Sequence, residues 1–321
     1  MNLLFVGNPG GTNIADSFLH AARQMRIEST LVPVASAFRA NPLQRLVSWH
    51  LLGHKPPHLA GFSRRVVENC RAVNATHLIA TGLAPIDAES LRQIEAKKIV
   101  YLTDDPWNPD FTASWFMDAV LEYDVVYTTR RSNTRDLRSL GCQCIEYLPF
   151  GYDPRHFHPE PRPLEHDVFF AGGAEQDRVD FLKPLLDGTL KVALAGDRWD
   201  KYAETQGYYR GHLDPQNLLY AITGARVNPC LVRSSNRDGH VMRSFEVPAS
   251  GACMVAQDTD EHREILKDTV LYFSTPSELR QQVDRLLKDE SLRTTLAASS
   301  HHLITTSSHT YKDRLNHILG S

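Results

Sequence analysis

The chain has 321 residues, enough for two domains of ordinary size, and its 42% hydrophobic and 23% charged residues are those of a globular protein. A formal net charge of −3 supplies no general basic field to displace counterions from nucleic acid, and no run of eighteen apolar residues offers a membrane span. Cys70, Cys142, Cys144, Cys230 and Cys253 are odd in number and scattered, and Cys142-Gln-Cys144 lacks zinc-knuckle spacing and a second ligand pair. Reduced thiols in a cytoplasmic protein are the expectation.

The opening MNLLFVGNPGG has neither a basic n-region nor a cleavable apolar stretch, so it reads as a first strand and not as a signal peptide. Strand-like runs follow at 29–35, 77–81, 98–103, 124–129 and 144–150, with helix patterns at 15–25 and 87–98. Continuous β-branched and aromatic runs separated by helices predict a parallel sheet covered on both faces. From Ser29 to Val67 there is no Asp or Glu, yet Arg39, Arg45, Lys55, Arg64 and Arg65 interleave with Phe38, Leu46, Trp49, Leu51, Leu52 and Phe62. That stretch predicts either a basic helix pair packed over the sheet or a surface at 37–66 for an anionic acceptor or a peripheral membrane contact. His50, His54 and His58 have helical ligand spacing, but Pro56 and Pro57 interrupt any helix there.

Five prolines between Pro149 and Pro163 mark an interdomain segment that neither a helix nor a central strand tolerates. The pattern then restarts with DVFFAGG, a helix from about 177 to 186, and strands at 191–196, 225–232, 252–256 and 270–274. The predicted division is an N-terminal Rossmann-like α/β domain over 1–150, a proline-rich hinge at 151–166, a second α/β domain over 167–300, and a C-terminal helix over 301–321 placed to cross back to the first.

Ligands of such sheets bind outside the carboxyl ends of the strands. Gly7-Asn-Pro-Gly10-Gly11-Thr12 follows the first strand but is neither a dinucleotide fingerprint nor a P-loop; it is a tight turn or a site of close backbone approach. Asp104, Asp105 and Trp107 follow the fourth strand. Adjacent acids at a buried strand end are costly unless paired, hydrogen-bonded or used on a ligand, and no His or further carboxylate stands at metal-ligand spacing. Asp105 is therefore a candidate base, with Asp104 and Trp107 lining the same face.

The block from Arg233 to Glu264 carries the most information. Asp238-Gly239 is followed eight positions on by Glu246, then by Val-Pro-Ala-Ser-Gly251 and an apolar strand. Eight residues turn ~800° on an ideal helix, so one face holds both acids only if Asp238 precedes the helix. Asp238 at a helix entrance among free N–H groups, with Glu246 near the helix end to accept vicinal hydroxyls, is the layout for a phosphate and a ribose. Arg233, Arg237 and Arg243 bring positive charge to a stretch that is otherwise an ordinary turn and a solvated helix.

These segments resemble glycosyltransferases of the GT-B type, and within them the CgeB-like branch of the group 1 enzymes. YLPFGYDPRHFHP is similar to the group's hinge, YYRGHLDPQNLLYAITGARVNP to its glycine turn, helix and strand, and RDGHVMRSFEVPASG to its two-acid donor motif, with Asp238 where the superfamily usually has Glu. The resemblance implies a fold of two Rossmann-like α/β domains facing a cleft, closed by C-terminal helices. It implies that Glu246 binds the donor ribose, that Asp238 lies near the donor sugar, and that the intervening loop cradles the diphosphate. Gly173, Arg178, Arg237, Gly239, His240, Arg243 and Gly251 complete the expected donor site, with Gly10, Gly11, Thr12, Asp104 and Trp107 on the acceptor side. The superfamily's Arg and Lys after the first strand of the second domain are loosely matched by Arg178 and Lys183.

With no metal expected, Arg178, Arg237 and Arg243 would balance the leaving diphosphate. The implied activity is metal-independent transfer from a nucleoside-diphosphate sugar, with retention, to a glycan, lipid-linked or protein acceptor, without a cofactor. A nucleotide-sugar epimerase and a non-catalytic sugar-nucleotide binding module are the alternatives.

Overall fold

Apolar runs too short for helices and too continuous for half-exposed strands become the buried parallel strands of two sheets. The computed structural model describes residues 1–41, 48, 54–108 and 114–320. The chain divides into two units, one of Met1–Pro149, Ser235–Arg237 and Arg314–Ser321, the other of Phe150–Ser234 and Asp238–Asp313.

In the first unit, β1 (Asn2–Gly7), β2 (Glu28–Pro33), β3 (His77–Thr81), β4 (Lys97–Leu102), β5 (Val125–Thr128) and β6 (Ile145–Tyr147) form one sheet. Its order is β2-β1-β3-β4-β5-β6 and every pairing is parallel. Around it lie α1 (Ile14–Gln24), α2 (Leu59–Ala72), α3 (Ala88–Arg92), α4 (Ser114–Ala119) and α5 (Arg131–Leu140). Ile14, Ala15, Phe18, Leu19 and Ala22 recur at helical spacing and make the buried face of α1, where the Phe18 ring lies 6.2 Å from Phe5 and 5.6 Å from Tyr101.

Two elements are shorter than their local pattern suggests. Asp87 caps α3 by accepting the Ser90 N–H at 2.8 Å, but the helix stops at Arg92 and does not run to 98. Lys97 donates to the Thr76 carbonyl and pairs with His77, so the growing sheet takes residues whose own propensity is helical. Strand β2 ends at Pro33 because its partner β1 ends at Gly7, and Val34–Ala37 coil into a single 3₁₀ turn.

In the acid-free stretch, Leu59, Phe62, Val66, Val67 and Cys70 of α2 face the sheet while Arg64 and Arg65 face outward. Over these residues it is an amphipathic helix packed on the sheet, and Phe62 is core. Arg45, Leu46, Trp49, His50, Leu51 and Leu52 lie outside the described residues.

In the second unit, β7 (His166–Ala171), β8 (Val192–Ala195), β9 (Ala225–Cys230), β10 (Met254–Gln257) and β11 (Leu271–Phe273) pair in the order β11-β10-β9-β7-β8. All pairings are again parallel. The helices are α6 (Gln176–Leu182), α7 (Pro215–Thr223), α8 (Arg243–Ala249), α9 (Asp260–Leu266), α10 (Pro276–Lys288) and α11 (Glu290–Thr306). A last helix, α12 (Tyr311–Gly320), passes from the second unit into the first. There Arg314 Nε donates to the Pro149 carbonyl at 2.8 Å and His317 meets Glu146 at 3.2 Å.

Pro229 sits in β9, a central strand, where a missing N–H is normally excluded. The reason is positional. Asn228 donates to the Cys253 carbonyl, so even-numbered residues bond β10 and Pro229 faces β7. The β7–β9 register ends at Val168↔Val227, one step before Pro229 would be needed. The proline-rich segment is packed, with Phe150, Tyr152 and Phe157 buried and Tyr152 exchanging main-chain bonds with His309 and Tyr311.

Strand β8 ends in Gly196 at φ 124°, and a Cβ there would lie 2.3 Å from the Gly172 carbonyl oxygen. Both the backbone conformation and the close approach require glycine. Gly196→Ala is expected to destabilise the second unit by about 2 kcal/mol or more, read as a lower urea midpoint without loss of the first unit's transition.

Candidate donor-loop site and its chemistry

The strand orders place the loops that matter. In the second unit β7 is flanked by β8 and β9, so the chain leaves it in opposite directions and a crevice forms outside the carboxyl ends of β7 and β9. The loops there are 172–175 and 231–238. The first unit repeats the rule at β1 and β3, which brings Gly7–Thr12 and Gly82 to its switch point.

Arg178 joins the two loops of the second unit. Its guanidinium donates to the carbonyls of Gly173 at 3.1 Å, Leu231 at 3.0 Å and Val232 at 3.3 Å, and it lies 5.8 Å from the Phe170 ring. Among the described residues no carboxylate lies within ion-pair distance of it, and burial holds its pKa below the usual arginine range. The expected direct phosphate ligand is thus first a cross-link between main-chain segments, with a positive charge that only neutral carbonyls solvate. Beside it, Arg233 pairs with Glu175 at 2.6 Å and the Ser234 hydroxyl donates to Asp177. Gly173 keeps open space around its Cα, whereas Gly172 donates to Ala195 and accepts from the Trp199 indole at 2.8 Å.

Helix α8 begins at Arg243, five residues after Asp238, with Glu246 in its first turn. This corrects the expectation that Asp238 stands at a helix entrance and Glu246 near the helix end. Asp238, 9% exposed, donates its N–H to the Arg233 carbonyl and opens a turn that runs to Met242. Glu246 is 1% exposed, and neither carboxylate oxygen accepts a hydrogen bond among the described residues. One of them faces the Arg243 guanidinium three residues earlier in an ion pair. Arg243, expected on the diphosphate, is paired with Glu246 here. Gly251 lies past the far end of α8, where a φ of 70° stops the helix. Because α8 runs back across the sheet, Gly251 stands at the opposite edge from the loops it was expected to join.

His240 is likewise inside the fold. Its Nε2 accepts the Phe150 N–H at 3.1 Å, which leaves Nδ1–H to donate to Glu261 at 2.5 Å. Glu261 was not anticipated, nor were Thr259 and His262. The signal was present in Thr259-Asp-Glu-His262 after a strand, an N-cap with an acidic first turn. Thr259 caps α9 by accepting the His262 N–H at 3.0 Å. His262 Nδ1–H donates to the Gln257 carbonyl at 2.7 Å and its Nε2 accepts the Ser244 hydroxyl at 2.8 Å. The ring is neutral, its pKa pushed down to about 4 by burial.

In the first unit Asp105, 1% exposed, is held by Arg237 in a two-pronged pair at 2.5 and 2.9 Å. Arg237 also reaches Asp136 at 2.7 Å and lies 5.9 Å from the Trp107 ring. Asn236 accepts from Asn108 at 3.0 Å and donates to Asp104 at 3.3 Å. The expected base and the expected phosphate ligand thus pair with each other, and Asp104 and Trp107 belong to the same cluster. Pairing with Asp105 raises the Arg237 pKa further. Gly10 and Gly11 take positive φ with free space around them, and Gly10 donates to Asp16 at 3.0 Å. Thr12 follows, half-buried, ahead of α1.

Two parallel-sheet α/β domains of this kind constitute the GT-B glycosyltransferase fold, and solved structures of that fold match over nearly the whole chain. Sucrose-phosphate synthase from Thermosynechococcus elongatus has a TM-score of 0.72 at 12% identity, covering 100% of this chain and 98% of its own. Anabaena HepE, solved with UDP and glucose, has 0.67 at 11% identity, with 100% and 98% covered. T4 phage BGT, solved with UDP and Mn2+, has 0.63 at 12% identity, with 99% and 98% covered. A family model described as Glycosyl transferase-like matches residues 178–320. No curated protein matches the chain in sequence.

Two outcomes follow from the site's electrostatics. An unfolded histidine protonates near its model value of 6.5 and folded His262 only near 4, so between these values the unfolded chain binds more protons. The stabilising difference is complete above the unfolded value and drains by about 3 kcal/mol as pH falls toward 4, so His262→Gln should flatten the Tm–pH curve between pH 7 and 5. Arg237→Met leaves Asp105 buried and unpaired and should cost about 2 kcal/mol, largely relieved by adding Asp105→Asn in a double-mutant cycle of urea midpoints.

Proposed function

We propose that the protein is a glycosyltransferase of the CgeB-like branch that moves a sugar from a nucleoside-diphosphate sugar to an acceptor, without a metal and with retention of anomeric configuration. The observation that carries this reading is Glu246, a carboxylate 1% exposed in the first turn of α8, whose charge faces Arg243 in an ion pair while neither oxygen accepts a hydrogen bond among the described residues. A buried carboxylate oxygen without a hydrogen-bond donor is costly, and vicinal sugar hydroxyls are donors that would satisfy it. The match of residues 178–320 to a glycosyltransferase-like family and the UDP complexes of the HepE and BGT structures support the nucleotide-sugar part of this reading.

The chemistry follows from charge. Cleaving the anomeric bond puts positive charge on the sugar and negative charge on the departing diphosphate. Arg178, without an ion-pair partner among the described residues, supplies positive charge beside Gly173, and Asp238 supplies negative charge near the sugar. Asp105, held by Arg237, is left out of the proton chemistry. The acceptor, a glycan, a lipid-linked sugar or a protein, falls to the first unit and its Gly7–Thr12 loop. Phe38, 45% exposed beside Arg39, keeps a peripheral membrane contact through 37–66 within the proposal.

The test is a panel of UDP-, ADP- and GDP-sugars in chelator, read by thermal shift, donor consumption and product analysis. Wild type should respond to one nucleotide class, with Glu246→Ala weakening binding by about ten- to a hundredfold. An epimerised donor would replace the transferase reading with an epimerase, and binding without consumption would replace it with a binding module. Silence toward every nucleotide sugar from folded protein sinks the nucleotide-sugar reading.

A further inference from the structure

The Asp238–Gly239 turn is held by one helix end, the first turn of α9, through contacts at successive atoms. A Cβ on Gly239 would lie 2.4 Å from Glu261 Cδ, so the carboxyl group is seated directly against the glycine Cα. Thr259 Oγ1 donates to the Gly239 carbonyl at 2.5 Å. The trans peptide is planar, so that bond also turns the His240 N–H of the same unit away from α9. Glu261 then accepts the His240 Nδ1–H at 2.5 Å, while the Phe150 N–H occupies Nε2. The buried imidazole packs edge-on against Phe150 at 5.5 Å and Phe245 at 5.7 Å. Glu261 is thus in contact with two consecutive residues after Asp238, and Thr259 sets the peptide between them.

We infer that Glu261 is a positioning residue for the sugar-transfer step, fixing the Asp238–Gly239 turn through the Gly239 Cα and the His240 imidazole. This rests on the reading of Asp238 and its turn as donor-binding. Glu261 reaches no reacting atom in this account. It acts by limiting where the Asp238 carboxylate and the following main chain stand, and a displacement of about 1 Å at such a group costs on the order of a hundredfold in rate.

The experiment compares Glu261→Ala, Glu261→Gln and Thr259→Val with wild type. Turnover is measured on the nucleotide sugar of the panel that wild type consumes, and ¹⁵N-histidine and backbone amide NMR spectra are recorded without nucleotide. Folded fraction is set by titrating binding sites with the nucleoside diphosphate of the class that wild type answers to. Glu261→Ala should lose about tenfold or more in kcat per binding site with the donor KM within about threefold, the pattern of an interaction felt in the transition state. Glu261→Gln keeps the volume and one acceptor oxygen and should recover most of the loss. In wild type His240 should show the Nδ1–H tautomer, and in Glu261→Ala that signal and the Asp238 and Gly239 amides should move. Unchanged kcat and KM per site in Glu261→Ala overturn the inference, as does a loss that vanishes on correction for folded fraction. Wild type that consumes no nucleotide sugar fails the transferase reading instead; the NMR arm then reports separately whether Glu261 sets the turn.

Discussion

A buried arginine that donates to three main-chain carbonyls organises the second unit. Arg178 takes the Gly173, Leu231 and Val232 oxygens, and thereby ties the loop after β7 to the loop after β9 at the point where the strand order reverses. Three neutral acceptors solvate a guanidinium better than an apolar pocket would, but they do not cancel its charge. Glu175, Asp177 and Asp238 act on the Arg178 guanidinium, together with Arg233, so the crevice holds charges of both signs. Its planar fork also explains why both loops sit at a defined separation, since five donors in fixed geometry accept few arrangements of carbonyls.

The acids of the second unit divide by environment. Glu246 is buried with Arg243 against one oxygen and short of other donors, whereas Glu261 is satisfied by His240. The first keeps oxygens without a hydrogen-bond donor among the described residues, and the second is seated against the turn before it. Asp105 makes the same point in the first unit. Its two oxygens meet the two prongs of Arg237, so an acid that looks reactive at a strand end is a structural anchor for residues 235–237. Buried ion pairs of this sort are weak evidence for stability, but breaking one side leaves an uncompensated charge.

The parallel α/β class, the restart of the pattern after the prolines and the strand positions were legible in the chain, because apolar periodicity and turn residues are local signals. Less legible was where helices stop. Residues 93–98 have helical propensity, yet Lys97 is drawn into β4 by donating to the Thr76 carbonyl and standing opposite His77, about twenty residues earlier.

By itself the sequence determined that there are two sheets, which segments form them, and that Asp238 and Glu246 stand among the arginines at 233, 237 and 243. Tertiary structure alone decided what each charge does. Arg237 meets Asp105 and Arg178 meets Val232 across separations in sequence that no spacing rule reads. His240 finds Phe150 on one nitrogen and Glu261 on the other, and Arg243 turns to Glu246. The physical reason is that strand and helix formation depend on neighbours in the chain, while the pairing of a buried charge depends on whichever donor or acceptor the packed fold brings within 3 Å, and desolvation makes that choice decisive.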